Sequence, residues 1–331
     1  MNLRNYKEYA PNPSQRVIIR IDADVPKGDN SRLEKSIPTF LHLIQNGGKV
    51  ALIGHMGRPE GKYVEELSLR RVYQDFMKLA GVDVDSKFME NFDSVAENQV
   101  LFYENLRFWP GEETNDNTFM KNLIEKVVAY INDAPAVAHR KHASIMLHEV
   151  LPTYYGESFI KEIGKLGDIY EKIRHPVSYI LGGKKEDKLK NIKTFLKTAD
   201  NIFLGGRLPT YVEDKNQYGE KVYVSQLRQD LCDLNDNDIK VATDMIGESK
   251  TMIVVGAPGW FEKEEYKKGT ESIAKALTNN KDSIVIFAGG DTGASFKKFG
   301  VEGPNIVQVS GGGSTLEYLA TGRLAALPST S

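Results

Sequence analysis

The stretch Ile284–Ser295, IVIFAGGDTGAS, decides how the chain is read. Ile284-Val285-Ile286-Phe287 is an apolar run of the length of a short buried strand. Ala288-Gly289-Gly290 lets the backbone turn with no side chain over it. Asp291 or Thr292 is placed to cap a helix that continues from Ala294 to Phe299. A strand, a glycine turn and a helix N-terminus make a cradle for an anion, because free N–H groups and the positive end of the helix dipole point at one spot. The pattern recurs with Ile306–Val309 as strand, Gly311-Gly312-Gly313 as turn and Ser314-Thr315 opening a helix. Such turns also serve only to let a helix pack closely on its sheet. Two of them on neighbouring strands suggest a site that handles phosphate.

Working outward, strand and helix alternate through the whole chain, which implies open parallel sheets. Arg16–Ile21 reads as a strand tipped by Asp22 and Asp24, followed by a polar loop carrying Arg32. Pro38 starts a helix through Gln45. Lys49–Ile53 is a strand running into Gly54-His55-Met56-Gly57-Arg58-Pro59, and Leu67–Leu79 has helical spacing. Val100–Tyr103 ends in Glu104-Asn105-Leu106-Arg107-Phe108. Phe119–Val127 is helical, and Val128–Ile131 is a strand followed by Ala138-His139-Arg140-Lys141-His142-Ala143-Ser144. In open parallel sheets ligands sit beyond the carboxyl ends of the strands. Those ends here carry Arg32, His55, Arg58, Arg107, Arg140 and His142. Gathered arginines repel one another unless an anion joins them, and their planar forks suit carboxylate and phosphate. The first half therefore reads as a pocket for a small, multiply charged anion. His139 and His142 have no third ligand at a metal-binding spacing.

Tyr154–Ile173 is mostly helical in spacing and reads as a connector. In the second half every strand tip is glycine-rich: Gly182-Gly183 before Lys184, Lys185 and Lys188, then Gly205-Gly206, then Gly256 to Glu262, then the two cradles. Bare backbone of this kind leaves room for a flat ligand such as a purine. There is no GxxxxGK[ST] segment, which excludes a P-loop.

The composition agrees. The chain has 331 residues, enough for two domains, with 40% hydrophobic and 27% charged residues. A formal net charge of −2 argues against broad nucleic-acid or anionic-membrane binding. Cys232 is the single cysteine, so no intramolecular disulfide forms. No apolar run approaches the ~20 residues of a membrane span, and the N-terminus lacks a signal-peptide core. A soluble, cytoplasmic, monomeric two-domain protein is the expectation.

From Arg16 to Leu327 these motifs resemble the phosphoglycerate kinase family. They are Arg20-Ile21-Asp22-Ala23-Asp24-Val25-Pro26, His55-Met56-Gly57-Arg58-Pro59, Glu104-Asn105-Leu106-Arg107-Phe108 with Pro110-Gly111-Glu112-Glu113, Ala138-His139-Arg140 with His142-Ala143-Ser144, Ile180-Leu181-Gly182-Gly183, Gly289-Gly290-Asp291-Thr292 and Gly311-Gly312-Gly313, in family order. The resemblance implies an α/β fold of two Rossmann-like three-layer domains with parallel sheets. Residues 1–156 would bind 3-phosphoglycerate, 157–173 would form the interdomain helix, 174–315 would bind nucleotide, and a tail, 316–331, would return to the first domain. It implies reversible phosphoryl transfer between 1,3-bisphosphoglycerate and ADP, with Mg²⁺ on the nucleotide and domain closure during turnover. Asp22, Asp24, Arg32, His55, Arg58, Arg107 and Arg140 would bind the acid. Lys185, Lys188, Gly205, Gly206, Glu262, Gly289, Gly290, Asp291 and Thr292 would bind the nucleotide, with Asp291 on the metal. Arg32, Lys185 and the N–H groups of Gly289 and Gly312 would stabilise the moving phosphoryl.

The chain also departs from the family. It is short, Asp24 stands where the family has Asn, and the lysine segment after Gly183 is contracted. The family's W-N-G-P is replaced around Val254-Val255-Gly256-Ala257. Most departures thus fall around the nucleotide. They leave a second reading, a descendant that binds anions or a partner protein without efficient nucleotide use. A Rossmann oxidoreductase is a third, but it lacks the GxGxxG spacing followed by an acidic residue.

Overall fold

The computed structural model describes residues 3–92 and 96–328. It divides into two compact units, Met1–Lys165 with Leu324–Ser331, and Leu166–Arg323.

Among the described residues the sheet of the first unit has six strands, all parallel. These are β1 (Arg16–Ile21), β2 (Lys49–Ile53), β3 (Ser86–Met89), β4 (Val100–Tyr103), β5 (Val127–Asp133) and β6 (Thr153–Tyr155), in the order β3-β4-β2-β1-β5-β6. Alternation along β1 assigns its faces. Val17, Ile19 and Ile21 pack with Leu33, Phe40 and Leu43 of α1 (Ser31–Gln45) and Val72 and Phe76 of α2 (Arg70–Ala80). Ile18 points the other way, into a cluster with Leu106, Leu147 and Phe119 and Leu123 of α4 (Asn117–Ile124), which follows the single turn α3 (Pro110–Glu113). A fully buried side chain of this size contributes about 1.5–3 kcal/mol relative to an exposed one, so a strand covered on both faces is the unit's centre. The division between the units falls within α5 (Glu157–Tyr170). Near the C-terminus, Ala326 N donates to Ala138 O at 2.8 Å, and Ala326 O accepts from Tyr155 Oη at 2.9 Å.

The second unit repeats the plan. Its sheet has the order β12-β11-β10-β7-β8-β9, built from β7 (Val177–Leu181), β8 (Asn201–Leu204), β9 (Val222–Val224), β10 (Thr251–Val255), β11 (Ile284–Ala288) and β12 (Ile306–Val309). Phe203, Met252, Val254, Val285 and Phe287 pack under Ala242 and Ile246 of α7 (Asp236–Glu248), Ile273 and Leu277 of α8 (Lys268–Asn279) and Phe296 of α9 (Gly290–Lys297). The helices α6 (Ile192–Phe195) and α10 (Gly313–Thr321) complete it. The two-unit α/β plan with parallel sheets is the one expected from the sequence.

The structure corrects three local expectations. Arg32 is not on a loop, and Pro38 does not start a helix. The helix α1 begins at Ser31, so Arg32 lies in its first turn and Pro38 is internal. The apolar positions Leu33, Phe40, Leu43 and Ile44 bury one face across the proline, and that packing outweighs the hydrogen bond the imino nitrogen cannot donate. Neither Asp291 nor Thr292 caps α9 with its side chain. The cap is Gly289 with φ at 107°, and the helix ends at Lys297 rather than Phe299. Thr292 is inside the first turn, where its hydroxyl donates back to Ala288 O at 3.1 Å. Tyr154 and Tyr155 belong to β6 and not to the helix that follows. The strands β3, β6 and β9, which the sequence did not reveal, are sheet edges of three or four residues, and none carries four consecutive apolar residues.

Glycine turns of the second unit pack backbone on backbone. At Gly206 φ is 60°, and an added Cβ would lie 2.5 Å from Gly183 N and 2.7 Å from Gly183 O. Gly206→Ala is therefore expected to destabilise the second unit by more than about 2 kcal/mol, combining left-handed strain with overpacking. Urea unfolding of the variant against the parent measures this, and equal midpoints would refute it.

Candidate active site

In the first unit the direction of the chain across the sheet reverses between β1 and β5, which opens a crevice beyond their carboxyl ends. Asp22 follows β1 there, and its Oδ2 accepts from Ala136 N, on the loop after β5, at 3.1 Å. Burial pushes this carboxyl up to about 6, against the pull of Arg20, Ala136 and Arg32. Arg32 reaches back from α1 to donate through Nη1 to Asp24 O at 3.2 Å. Asp24 is exposed, and its Oδ1 accepts from Gly57 N at 3.2 Å.

The loop after β2, which carries His55 and Arg58, is held by the next strand's loop. Asn105 is fully buried. Its Nδ2 donates to Met56 O at 2.8 Å and Leu67 O at 2.9 Å, while its Oδ1 accepts from Met56 N at 3.2 Å. Arg107 Nη1 donates to Gly57 O at 2.6 Å, and its Nε faces Glu113 Oε1 at 3.2 Å. Arg58 projects from this loop and is exposed.

Beneath the loop lies a group that the sequence reading quoted in a motif but gave no role. Arg20 is 0% exposed, on the β1 face opposite α1 and α2. Its Nε donates to Ser144 Oγ at 3.0 Å, its Nη1 to Ile21 O at 2.7 Å, and its Nη2 to His55 Nδ1 at 2.8 Å. Ser144 Oγ passes the interaction on, donating to Glu112 Oε1 at 2.5 Å, and Ser144 N donates to Glu112 Oε2 at 2.9 Å. A charge inside an apolar strand, Arg20 in RVIIRI, was the available signal, because a buried guanidinium requires partners.

The electrostatics follow. A guanidinium only donates, so Nδ1 of His55 is the acceptor and the ring is neutral with its proton on Nε2. Burial holds His55 well below its ordinary value, and Arg20, Arg107, His142 and Arg140 push it further. His142 is lowered to about 3 and His139 to about 4, by burial first and then by Arg107 and Arg140. Arg20, Arg107 and Arg140 thus all act on His55 and His142, and Arg140 and Arg107 on His139 as well. Arg140 Nε is buried with no hydrogen-bond partner among the described residues. The exposed Arg58, the unused buried donor of Arg140 and the neutral N–H donors together fit an anion.

The second unit has its own reversal, between β7 and β10. Here the crevice is crossed by Lys188, whose Nζ donates to Gly182 O and, at 3.1 Å, to Val255 O. The N–H of Gly205 goes to Leu181 O at 2.8 Å and that of Gly206 to Pro258 O at 2.7 Å. Gly256 N donates to Thr292 Oγ1 at 2.9 Å, tying the loop after β10 to α9. Lys184 and Lys185 are exposed. Gly289 and Gly311 approach so closely that a Cβ on Gly311 would lie 2.7 Å from Gly289 Cα. Both α9 and α10 start without a side-chain cap, the latter from Gly312. Gly290 and Asp291 are exposed on the first turn of α9, and Glu262 is exposed on the loop after β10. The expected nucleotide residues Lys185, Glu262 and Asp291 are therefore open side chains, whereas Lys188 and Thr292 are engaged.

The histidines outside the cluster have structural partners. His42 meets Tyr6 edge-on at 5.3 Å, His148 Nδ1 lies 3.0 Å from Ile145 O, and His175 Nδ1 lies 2.6 Å from Asp200 Oδ2.

A family model for phosphoglycerate kinase matches residues 11–218 and 210–322. A phosphoglycerate kinase of Finegoldia magna is 30% identical over 370 residues, covering 92% of this chain and 93% of that protein. Among solved structures, phosphoglycerate kinase from Coxiella burnetii has a TM-score of 0.66 at 24% identity, over 98% of this chain and 96% of that one. The enzyme from Pyrococcus horikoshii has a TM-score of 0.62 at 21% identity, over 98% and 97%. These two structures share the fold.

The raised carboxyl of Asp22 sets a sign. Its native value near 6 exceeds its ordinary 3.8, so its contribution to stability is complete below about pH 4 and is lost as pH rises through 6. Asp22→Asn is expected to gain stability relative to the parent between pH 4 and 6 and to show a constant difference below. Paired denaturant titrations across that range test it, and a difference independent of pH refutes it.

Proposed function

The chain belongs to the phosphoglycerate kinase family, and from that premise we propose that it catalyses reversible phosphoryl transfer between 1,3-bisphosphoglycerate and ADP, giving 3-phosphoglycerate and ATP. The observation that carries the reading is the Arg20–His55 contact at 2.8 Å beneath a loop that Arg107 holds through Gly57 O, with the buried, unpartnered Nε of Arg140 on the segment after β5.

In this proposal Arg58, Arg107 and Arg140 take the phosphate and carboxylate charge of the acid, and His55 offers Nε2–H as a neutral donor. Asp22 accepts from the substrate hydroxyl, and Asp24 keeps the Gly57 amide turned toward the pocket. In the ATP-consuming direction a carboxylate oxygen attacks the γ-phosphorus, and the bond to the ADP oxygen breaks. The carboxylate is already ionised, so no proton is removed and no general base is needed. That fits a site built on guanidinium groups, with His55 placed as an N–H donor rather than as a base. Arg32, on the first turn of α1, and Lys185 neutralise the charge on the moving group, as preorganised electrostatics requires. Lys185 takes this role rather than Lys188, because Lys188 is spent on Gly182 O and Val255 O. The first turns of α9 and α10, with Gly289, Gly290, Thr292 and Gly312, offer N–H donors to the phosphates. Gly205 and Gly206 bound the base, and Glu262 takes the ribose.

Asp291 is an exposed carboxylate on the first turn of α9, which fits Mg²⁺, a hard cation held by one or two carboxylates plus substrate phosphates. When bound it would neutralise phosphate charge. No helix among the described residues is long and apolar enough to cross a membrane, and the enzyme is proposed to act as a cytoplasmic monomer.

A coupled assay with ATP, Mg²⁺ and 3-phosphoglycerate is expected to show turnover; binding of 3-phosphoglycerate without turnover would favour a binding protein instead. Arg32→Ala is expected to lower kcat by at least about a hundred-fold, the scale of losing one transition-state donor. Its unfolding midpoint should stay near the parent's, since Arg32 is exposed. An unchanged kcat would remove Arg32 from the mechanism.

A further inference from the structure

The lysine segment after β7 is pinned on both sides of Lys185. On the far side, Lys188 Nζ donates to Gly182 O and, at 3.1 Å, to Val255 O. On the near side, Tyr211 Oη donates to Lys184 O at 3.2 Å. The ammonium of Lys184 lies 5.6 Å from the Trp260 ring centroid, so this residue is held by its side chain as well as by its carbonyl. Lys185 sits between the two anchors. It is exposed, with extended backbone (φ −93°, ψ 128°), at the start of a 3-10 helix, Glu186–Asn191.

Tyr211 owes its position to its own local structure. It closes a second 3-10 helix, Leu208–Tyr211, that follows the glycine turn after β8. Leu208 is fully buried, and Arg207 N donates to Gly183 O at 2.9 Å. Thr210 Oγ1 donates back to Arg207 O at 2.7 Å. This turn is therefore seated in the core by one side chain and joined through backbone to the residue just before Lys184. The tyrosine itself is 43% exposed, so its hydroxyl can be removed without opening a cavity in the core.

The bond to Lys184 O reaches further than one atom. A peptide group is planar, so the direction of Lys184 O fixes the plane that holds Lys185 N and Lys185 Cα. Rotation of that plane would swing the Lys185 side chain. The preceding residue gives little resistance, because Gly183 has φ at 92° and no side chain. A lysine ammonium rides on a flexible four-carbon stem, and a fixed root narrows where it points.

We propose that Tyr211 is a positioning residue for the transfer: its bond to Lys184 O aims Lys185 at the moving phosphoryl group. The inference rests on the reading of Lys185 as the lysine that neutralises this group. In this role Tyr211 touches neither substrate nor nucleotide and moves no proton. It acts on orientation rather than on binding, so its effect belongs in kcat.

Tyr211→Phe removes the hydroxyl alone. Its kcat is expected to fall about five-fold, the scale of losing one neutral hydrogen bond. Its KM for ATP, its KM for 3-phosphoglycerate and its urea midpoint should equal the parent's. Lys185→Ala is expected to lower kcat by at least about a hundred-fold. Adding Tyr211→Phe to Lys185→Ala should cost nothing further, because no ammonium is left to aim. A merely structural role would give the same fractional loss in both backgrounds. An unchanged kcat in Tyr211→Phe, or a five-fold loss repeated in the Lys185→Ala background, would overturn the proposal and leave Lys185 in its role. A Lys185→Ala variant with the parent's kcat would overturn the reading of Lys185, and the proposal with it.

Discussion

A guanidinium sealed inside a parallel strand is the constraint on which the first unit depends. Arg20 is surrounded by β1's own neighbours and has no access to water. Left unpaired it would cost several kcal/mol. Its donors are therefore satisfied by Ser144, Ile21 and His55, and its charge is answered through Ser144 by Glu112. Those partners come from the strand itself, from the loop after β2, from α3 and from the segment after β5. One buried cation thus draws together the pieces that carry the surface arginines. The same arrangement fixes which nitrogen of His55 bears hydrogen. Structure and electrostatics are set by one side chain, and the anion-facing groups inherit their protonation from it.

The second unit solves a different problem. Its strand ends carry glycines because the loops after β7, β8 and β10 lie against one another through their backbones, with Gly182 N on Val255 O, Gly183 N on Ala257 O and Gly206 N on Pro258 O. Side chains would push them apart. Lys188 supplies a positive charge to carbonyls that gather at this junction. Bare backbone here is first a packing requirement. Exposed side chains follow these turns in the chain, Lys184 and Lys185 after β7 and Trp260 and Glu262 after β10, with Asp291 on the first turn of α9.

Much of this was legible in the residues. Long apolar runs such as Val177–Leu181 and Ile284–Phe287 fixed the central strands, because burial on both faces leaves a continuous signal. The cationic tips were legible because arginines recur where strands end. What escaped had local causes. The missed strands β3, β6 and β9 have three or four residues each and no run of four apolar ones. Pro38 reads locally as the first residue of a helix, and that signal was overridden by an apolar face that only the folded sheet supplies. Asn105 and Arg20 were visible as letters in motifs, but their work is done across the sheet, on loops distant in sequence, and no spacing rule reports that. The engagement of Lys188 and Thr292 is likewise tertiary. Nearby lysines are equivalent in the sequence until one of them finds carbonyls.

Pro38 also has a mechanical consequence. With no amide hydrogen at that position, the carbonyl of Glu34 lacks its partner one turn on. The ladder of α1 is therefore interrupted between the turn that bears Arg32 and the turns that bear Phe40 and Leu43. Leu33 before the gap and Phe40 and Leu43 beyond it are all sealed in the same core, so the apolar face splices the helix across the missing rung. The turn that presents Arg32 is therefore seated from beneath by Leu33 and does not depend on an unbroken ladder for its position.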